Sequence, residues 1–287
     1  MKTTLKLSFA LLLLTVWACG DSDPDTAPPV VDIPGLEIPE GGATSPTSYA
    51  GMTLVWEEDF EGSSLSSQNW RHETGRGDNG WGNNELQYYR PENTSLVDGN
   101  LVITAKREDF SGSPYTSSRI ISQGKQSFRY GRIDIRAALP EGQGMWPALW
   151  MLGSNFSSVG WPACGEIDIM EMVGGQGREN EIHGTVHWQN QGAWVNFGRS
   201  TTLPQRQAQD EFNVYSIEWD ENQIKWFVND IEFNAIDTRP AELNEFREEF
   251  FFIINLAVGG NWPGSPNNTT NFPQHFIVDY IRVFQEN

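Results

Sequence analysis

The chain has 287 residues, with 12 Trp, 16 Phe, 28 Gly and 16 Pro, and a formal net charge of −19. This acidity argues against nucleic acid as a partner, because binding to phosphates needs a basic surface. The length suits one all-β domain and leaves little room for a second.

Residues 1–18 have the pattern of an export signal. Lys2 and Lys6 precede an apolar run from Leu7 to Val16, and Cys19 follows shortly after it. A basic start followed by about ten apolar residues is typical of a signal peptide, and such a run is too short to span a bilayer.

The end of that signal, Val16-Trp17-Ala18-Cys19-Gly20, resembles a bacterial lipobox. The resemblance implies cleavage before Cys19 and a lipid on its sulfur; an ordinary secretory signal with a chance cysteine is the alternative. We therefore expect export across the inner membrane and a lipid anchor in the outer membrane or at the cell surface of a Gram-negative bacterium.

Residues 19–52 are rich in Asp, Pro, Gly, Ser and Thr. A segment of this composition buries too little apolar surface to fold alone. It is predicted to be a disordered acidic linker that holds the domain away from the membrane. The folded domain is then expected over residues 53–287.

From Thr53 onward, short strands alternate with turns. Leu101–Ala105 follows the turn signal Asp98-Gly99-Asn100, and Arg132–Arg136 alternates between polar and apolar residues. No long helical period is present, and only 239–249 favours a short helix. Many short strands with frequent turns predict an all-β sandwich or barrel.

One strand carries three acids in the run Gly165-Glu166-Ile167-Asp168-Ile169-Met170-Glu171. Successive side chains of a strand point to opposite faces, so Glu166 and Asp168 share a face, whereas Glu171 falls on the other. A β-bulge near Met170 would return Glu171 to the face of the first two acids.

Two carboxyl groups with separated pKa values can cleave a glycosidic bond, because one attacks and the other donates a proton. A solvent-exposed amphipathic strand is the alternative interpretation of the same run. Against it, no Lys or Arg alternates with the acids, and Trp161 to Gly165 and Gly174-Gly175 flank them.

Several tryptophans lie between glycines and prolines, where little local core is available. Trp146, Trp161 and Trp262 are predicted to line a cleft, since indole rings stack on the apolar faces of sugars. His183 and His187 have a spacing that binds zinc on a helix, but Gly184-Thr185-Val186 between them favours a strand. No zinc is expected, and His187 is a candidate substrate donor.

Taken together, these motifs resemble glycoside hydrolase family 16, in its laminarinase branch of endo-1,3-β-glucanases. The resemblance spans residues 53 to 286, and the matching motifs occur in the same order as in the family. It is carried by Trp81–Tyr89, Gly131–Ile133, Leu139–Gly144, Trp146–Leu152, Trp161–Glu171, Gly184–Trp188, Asn255–Gly264 and Val278–Val283.

The resemblance implies an all-β jelly roll of two antiparallel sheets with a concave cleft. It also implies a retaining double displacement with Glu166 as nucleophile, Glu171 as acid/base and Asp168 tuning their protonation. No cofactor is needed for catalysis. The family commonly holds a structural Ca²⁺, and the matching positions are near Glu58, Gly99 and Asp279; the alternative for the last is a solvated strand end.

The expected activity is endo-hydrolysis of β-1,3-glucan by a monomer. Trp146 and Trp262 would stack on the sugars, and Asn84, Glu85, Arg119 and His187 are candidate polar contacts. Two alternatives stay open. One is a relative that acts on mixed-linkage β-glucan or on agar- or carrageenan-type galactans. The other is a non-catalytic sugar-binding module, against which the three intact acids count.

Overall fold

The computed structural model describes residues 33–287. The predicted signal peptide, the lipidation site Cys19 and the first part of the linker lie outside these residues and stay predictions. Between residues 33 and 287, no helix is both long and apolar enough to cross a membrane.

The described chain is built mainly from strands. In order they are β1 (Met52–Glu58), β2 (Arg71–Glu73), β3 (Gln87–Tyr89), β4 (Thr94–Val97), β5 (Asn100–Ala105), β6 (Tyr115–Ser117), β7 (Arg119–Ile121), β8 (Gly131–Ala138), β9 (Met145–Gly153), β10 (Glu166–Glu171), β11 (Glu181–Asn190), β12 (Ala193–Thr202), β13 (Asn213–Trp219), β14 (Gln223–Val228), β15 (Ile231–Asp237), β16 (Phe250–Val258) and β17 (Gln274–Glu286). The helical segments are short: a π-helical turn (Gly80–Asn84), two 3₁₀ helices (Pro91–Asn93 and Ala241–Arg247), α1 (Phe156–Val159) and α2 (Gln207–Asp210).

Two antiparallel sheets hold most of these strands. The eight-stranded sheet has the order β15-β14-β13-β8-β17-β5-β4, with β1 also paired to β17. The seven-stranded sheet has the order β12-β11-β10-β9-β16-β7-β2, which places the acid-bearing strand β10 between β9 and β11. This arrangement confirms the predicted all-β jelly roll.

The main core lies between the two sheets. Ile167 and Ile169 point into it from β10, and Trp219 and Trp226 enter from β13 and β14 of the opposite sheet. Each such side chain contributes about 1.5–3 kcal/mol by leaving water. The indole N–H of Trp226 also donates to the carbonyl oxygen of Asp168 at 2.8 Å. The core therefore fixes the backbone of the acid strand from behind.

Residues 33–51 differ from the predicted disordered linker, because they pack against the domain. Ile33, Leu36 and Ile38 lie against a buried apolar cluster, and the Tyr49 hydroxyl donates to Asp134 at 2.8 Å. Arg136 donates to the carbonyl oxygen of Ala43 at 2.7 Å. The predicted boundary at residue 52 is therefore wrong; the average polarity of the segment concealed a few apolar side chains with a surface to cover.

Candidate active site

The three acids of β10 share one face because the strand contains a bulge. Glu166 and Asp168 pair with His187 and Thr185 of β11, whereas Glu171 pairs with His183. Three residues on β10 thus match two on β11, and the register against β9 shifts between Asp168 and Met170 as well. One extra residue restores Glu171 to the face of Glu166 and Asp168, so the predicted bulge is confirmed.

The strand enters this arrangement through a glycine. Gly165 has a φ of +78°, a left-handed conformation that most side chains disfavour. An added Cβ there would also lie 2.9 Å from the Cβ of Glu245. Gly165 therefore turns the chain sharply into β10, and Glu166 is the first residue of the strand.

The acids are held in surroundings that favour their protonated forms. Burial raises the pKa of Asp168 to about 8, although a hydrogen bond with Glu166 lowers it. Burial, followed by the charge of Asp168, raises the pKa of Glu171 to about 8. The same two causes raise the pKa of Glu166 well above its usual range. Because like charges so close together repel, the three groups titrate as a coupled set.

Each outer acid accepts a hydrogen bond from an indole. Trp161 Nε1 donates to Glu166 Oε2 at 2.9 Å, and Trp146 Nε1 donates to Glu171 Oε1 at 2.9 Å. These bonds leave the second oxygen of each carboxyl group available. We call the surface made by the three acids, Trp146, Trp161 and Trp262 the acid face.

The tryptophans of the acid face divide into exposed rings and one half-buried ring. Trp161 and Trp262 are 46% and 38% exposed, as a sugar platform must be. Trp146 is less accessible and meets Trp262 edge to face, with ring centroids 5.6 Å apart. The predicted cleft position therefore fits Trp161 and Trp262, whereas the contacts of Trp146 indicate that it orients Glu171.

Two of the predicted polar contacts are engaged inside the protein. Glu85 is buried and accepts hydrogen bonds from Asn83, Gln87 and Tyr89. The Arg119 guanidinium lies between the rings of Trp81 and Trp150, and its Nε is 2.7 Å from Glu73 Oε2. Both side chains have partners inside the protein, and their predicted contacts with a sugar stay predictions.

The other two predicted contacts lie at the acid face. Asn84 is exposed and donates to the Asn261 side chain at 2.9 Å, beside Trp262. His187 places Nε2 3.1 Å from Asp168 Oδ2 and 3.6 Å from Glu166 Oε1. Both positions agree with the predicted roles.

The two histidines lie on a strand, as the intervening residues predicted. His183 packs against Trp262, whereas His187 packs against Trp194, so the two histidines lie toward different ends of the acid face. Among residues 33–287, the metal-ligand types that converge are Glu166, Asp168 and His187, whose atoms lie within 4.8 Å of one another. The shortest separation inside this group, 3.1 Å between His187 Nε2 and Asp168 Oδ2, is a close imidazole–carboxylate contact.

The side chains at the expected calcium positions are bound to nitrogen donors. Glu58 accepts from Asn69, Trp70 and the backbone N–H of Phe60, and Asp279 pairs with Arg136. Gly99 lies close to the carboxylate of Glu61. The carboxylate of Glu58 does not fit a calcium site, so an ion here would depend on carbonyl oxygens. The calcium site stays a prediction.

Two features of the site were not predicted from the sequence. Trp194 lies against His187 because β11 and β12 pair in a register that the sequence does not reveal. Asn255 connects Trp150 to Tyr89, since it accepts from the Trp150 indole at 2.7 Å and donates to the Tyr89 hydroxyl at 3.1 Å. The only signal was that Asn255 is polar within an apolar strand.

Replacing Asp168 with Asn is expected to slow turnover of the expected glucan substrate on the order of 10²-fold, since the carboxyl group expected to tune the protonation of Glu166 and Glu171 is lost. The same change should also make the fold more stable than that of the wild type, by an amount that grows as pH rises. A carboxyl whose pKa is raised from 3.8 to about 8 by folding destabilises the native state increasingly between these values.

The Tm of Asp168→Asn should therefore match that of the wild type near pH 4 and exceed it at pH 8. Calorimetry across this range, beside the rate, checks both expectations. A Tm difference that does not change with pH would contradict the raised pKa.

The comparisons with known proteins agree with this geometry. The family model described as glycosyl hydrolases family 16 matches residues 81–282. The chain belongs to glycoside hydrolase family 16, as its motifs predicted. It is similar to the laminarinase catalytic domain from Thermotoga maritima, with 42% identity and a TM-score of 0.76, over 82% of this chain and 99% of that one.

Two curated relatives extend the comparison. The chain is 39% identical to a beta-glucanase of Rhodothermus marinus, over 81% of this chain and 85% of that protein. It is 40% identical to the clotting factor G alpha subunit of Tachypleus tridentatus, over 81% of this chain. There the match spans only 34% of the relative, so the relative's activity as a whole does not transfer.

Proposed function

We propose that this chain is an endo-acting, retaining hydrolase of β-1,3-glucan that works by double displacement. The observation that carries the proposal is the bulge in β10, which brings Glu166, Asp168 and Glu171 to one face. The similarity of the chain to a laminarinase and to a beta-glucanase supports the substrate class.

In the first step, the Glu166 carboxylate attacks the anomeric carbon while Glu171 gives its proton to the departing oxygen. The glycosidic bond breaks, and a covalent ester joins the sugar to Glu166. In the second step, Glu171 takes a proton from water, the water oxygen attacks the anomeric carbon, and Glu166 leaves as a carboxylate. Two displacements at the same carbon retain its configuration.

The environment of Glu171 suits an acid at neutral pH. Its pKa of about 8 keeps the group protonated before the first step. Asp168, between Glu166 and Glu171, provides a site where a proton can be shared with Glu166.

The exposed tryptophans support endo-action on a chain. Trp262 lies beside His183, which pairs with Glu171, whereas Trp161 lies beside His187, which pairs with Glu166. The two indole platforms therefore lie at opposite ends of the three acids. Platforms on both sides can hold a polymer whose internal bond lies over the acids.

Replacing Trp262 with Ala is expected to raise KM for laminarin by about 5- to 150-fold, equivalent to about 1–3 kcal/mol for one aromatic stacking contact. The Tm should change little, because Trp262 is exposed. Steady-state kinetics beside thermal unfolding measures both. Ile231→Ala is the control, since Ile231 is 73% exposed on the other sheet. A large fall in Tm with unchanged KM would show that Trp262 acts in packing.

A reducing-sugar assay over laminarin, lichenan, agarose and carrageenan tests the substrate class. We expect rapid release of reducing ends from laminarin, with products of several sizes at early times. Preferred cleavage of lichenan or of a galactan would replace the proposed substrate by the corresponding alternative. Binding to laminarin without release of reducing ends would favour a non-catalytic module.

A further inference from the structure

Trp194 is an exposed tryptophan on β12 to which neither the sequence motifs nor the proposed mechanism gives a role. It pairs with Gln189 of β11, and His187 pairs with Asn196. Trp194 and His187 are therefore diagonal neighbours on one face, within reach of each other's side chains. Trp194 is 55% exposed, which is unusual for an indole that serves only packing.

The contact between the two rings is a directed hydrogen bond. Trp194 Nε1 lies 2.9 Å from His187 Nδ1, and the ring planes are within 17° of each other. The N–H and the nitrogen lone pair thus lie close to one plane. An indole N–H can only donate, so Nδ1 must accept and carries no proton. The proton of the neutral imidazole is then on Nε2.

The other imidazole nitrogen faces the acids. His187 Nε2 is 3.1 Å from Asp168 Oδ2 and 3.6 Å from Glu166 Oε1. Asp168 Oδ2 is buried and has no hydrogen-bond partner within the described part of the chain, although His187 Nε2 lies 3.1 Å away. With its proton on Nε2, the imidazole turns an N–H rather than a lone pair toward this carboxylate. The opposite tautomer would direct a lone pair at the carboxylate and would place two N–H groups against each other at Trp194.

We propose that Trp194 is a positioning residue that fixes His187 in the Nε2–H tautomer, so that the imidazole donates a hydrogen bond to the Asp168–Glu166 pair. This donor stabilises negative charge on the pair, and the nucleophile must carry that charge to attack the anomeric carbon. The inference rests on the proposed roles of Glu166 and Asp168.

Nitrogen-15 NMR of the imidazole groups tests the tautomer directly. The chain has four histidines, so the His187 signals are assigned by their loss in His187→Gln. We expect the wild type to carry its proton on Nε2. Trp194→Phe keeps an aromatic ring but removes the N–H, and should give a mixture of tautomers. A proton on Nδ1 in the wild type, or an unchanged spectrum in Trp194→Phe, would overturn the proposal.

A double-mutant cycle tests the consequence for the reaction. Trp194→Phe is expected to lower kcat about three- to tenfold, the equivalent of one hydrogen bond, with little change in KM. In the His187→Gln background the same change should cost nothing more, because Trp194 acts through His187. Independent, multiplicative losses, or a rise in KM alone, would show instead that Trp194 is a sugar platform.

The two measurements separate this proposal from the proposed function. If the wild type does not cleave laminarin, the substrate assignment fails, but the NMR result still decides the tautomer. Trp194→Ala removes both ring and N–H; its excess effect over Trp194→Phe measures what the ring itself contributes.

Discussion

Glu166→Ala is expected to lose at least about 10⁴-fold in kcat on laminarin, because the attacking carboxylate is gone and no neighbouring group can form the ester. The fold should persist, because Glu166 lies partly exposed at the start of β10, and its main side-chain contacts are to Trp161 and His187. Removing one of three crowded acids also relieves repulsion on the other two.

Added azide gives this variant a distinguishing result. Azide should attack the anomeric carbon directly from the face that Glu166 occupied, while Glu171 still protonates the leaving oxygen. The product is then a glycosyl azide of inverted, α configuration, formed in a single displacement. Rate and product are measured with an activated laminari-oligosaccharide. Turnover close to that of the wild type without azide would remove Glu166 from the role of nucleophile.

Glu171→Gln is expected to lower kcat on laminarin on the order of 10³-fold, because proton transfer to the departing oxygen is lost. Substrates with a leaving group that needs no proton should suffer far less in the first step. With such a substrate, azide can intercept the ester and give a β-configured azide, the opposite of the Glu166→Ala product.

The pH–rate profile gives a second readout for Glu171. The group must be protonated in the first step, and its pKa is raised to about 8. Activity that depends on it is therefore present below this pH and is lost as pH rises through about 8. Glu171→Gln should flatten the fall of kcat/KM at alkaline pH. The residual activity of Glu166→Ala should still fall with rising pH, because Glu171 is intact in that variant. If kcat/KM of Glu171→Gln still falls at alkaline pH, a group other than Glu171 causes the fall, and Asp168 is the first candidate because its pKa is also raised to about 8.

The sequence contained enough information to locate the acids but not all their partners. The number of residues from Glu166 to Glu171 conflicts with strand alternation, and only a bulge lets the acids share one face; the register confirms this. Similarly, Trp161 and Trp262 lie among small residues and are exposed. In these cases the constraint is local along the chain.

For two of the predicted polar contacts, the sequence did not reveal which protein groups surround the side chain. Glu85 belongs to a motif that also contains Gln87 and Tyr89, yet only the folded loop shows that these side chains bury its carboxylate. Arg119 is removed from solvent by Trp81, Trp150 and Glu73, which come from three different segments. The contacts of Arg119 join distant segments and leave no local pattern, whereas those of Glu85 depend on how its own loop folds.

The anomeric form of the first product tests the proposed mechanism most directly. Proton NMR can follow the hydrolysis of a short β-1,3-linked glucan oligosaccharide from the first seconds, before the two anomers interconvert. We expect the β anomer to form first and the α anomer to appear only later, because two displacements occur at one carbon, on a face where Glu166 and Glu171 both project. Initial formation of the α anomer would mean direct attack by water, and would contradict a role for Glu166 as the nucleophile.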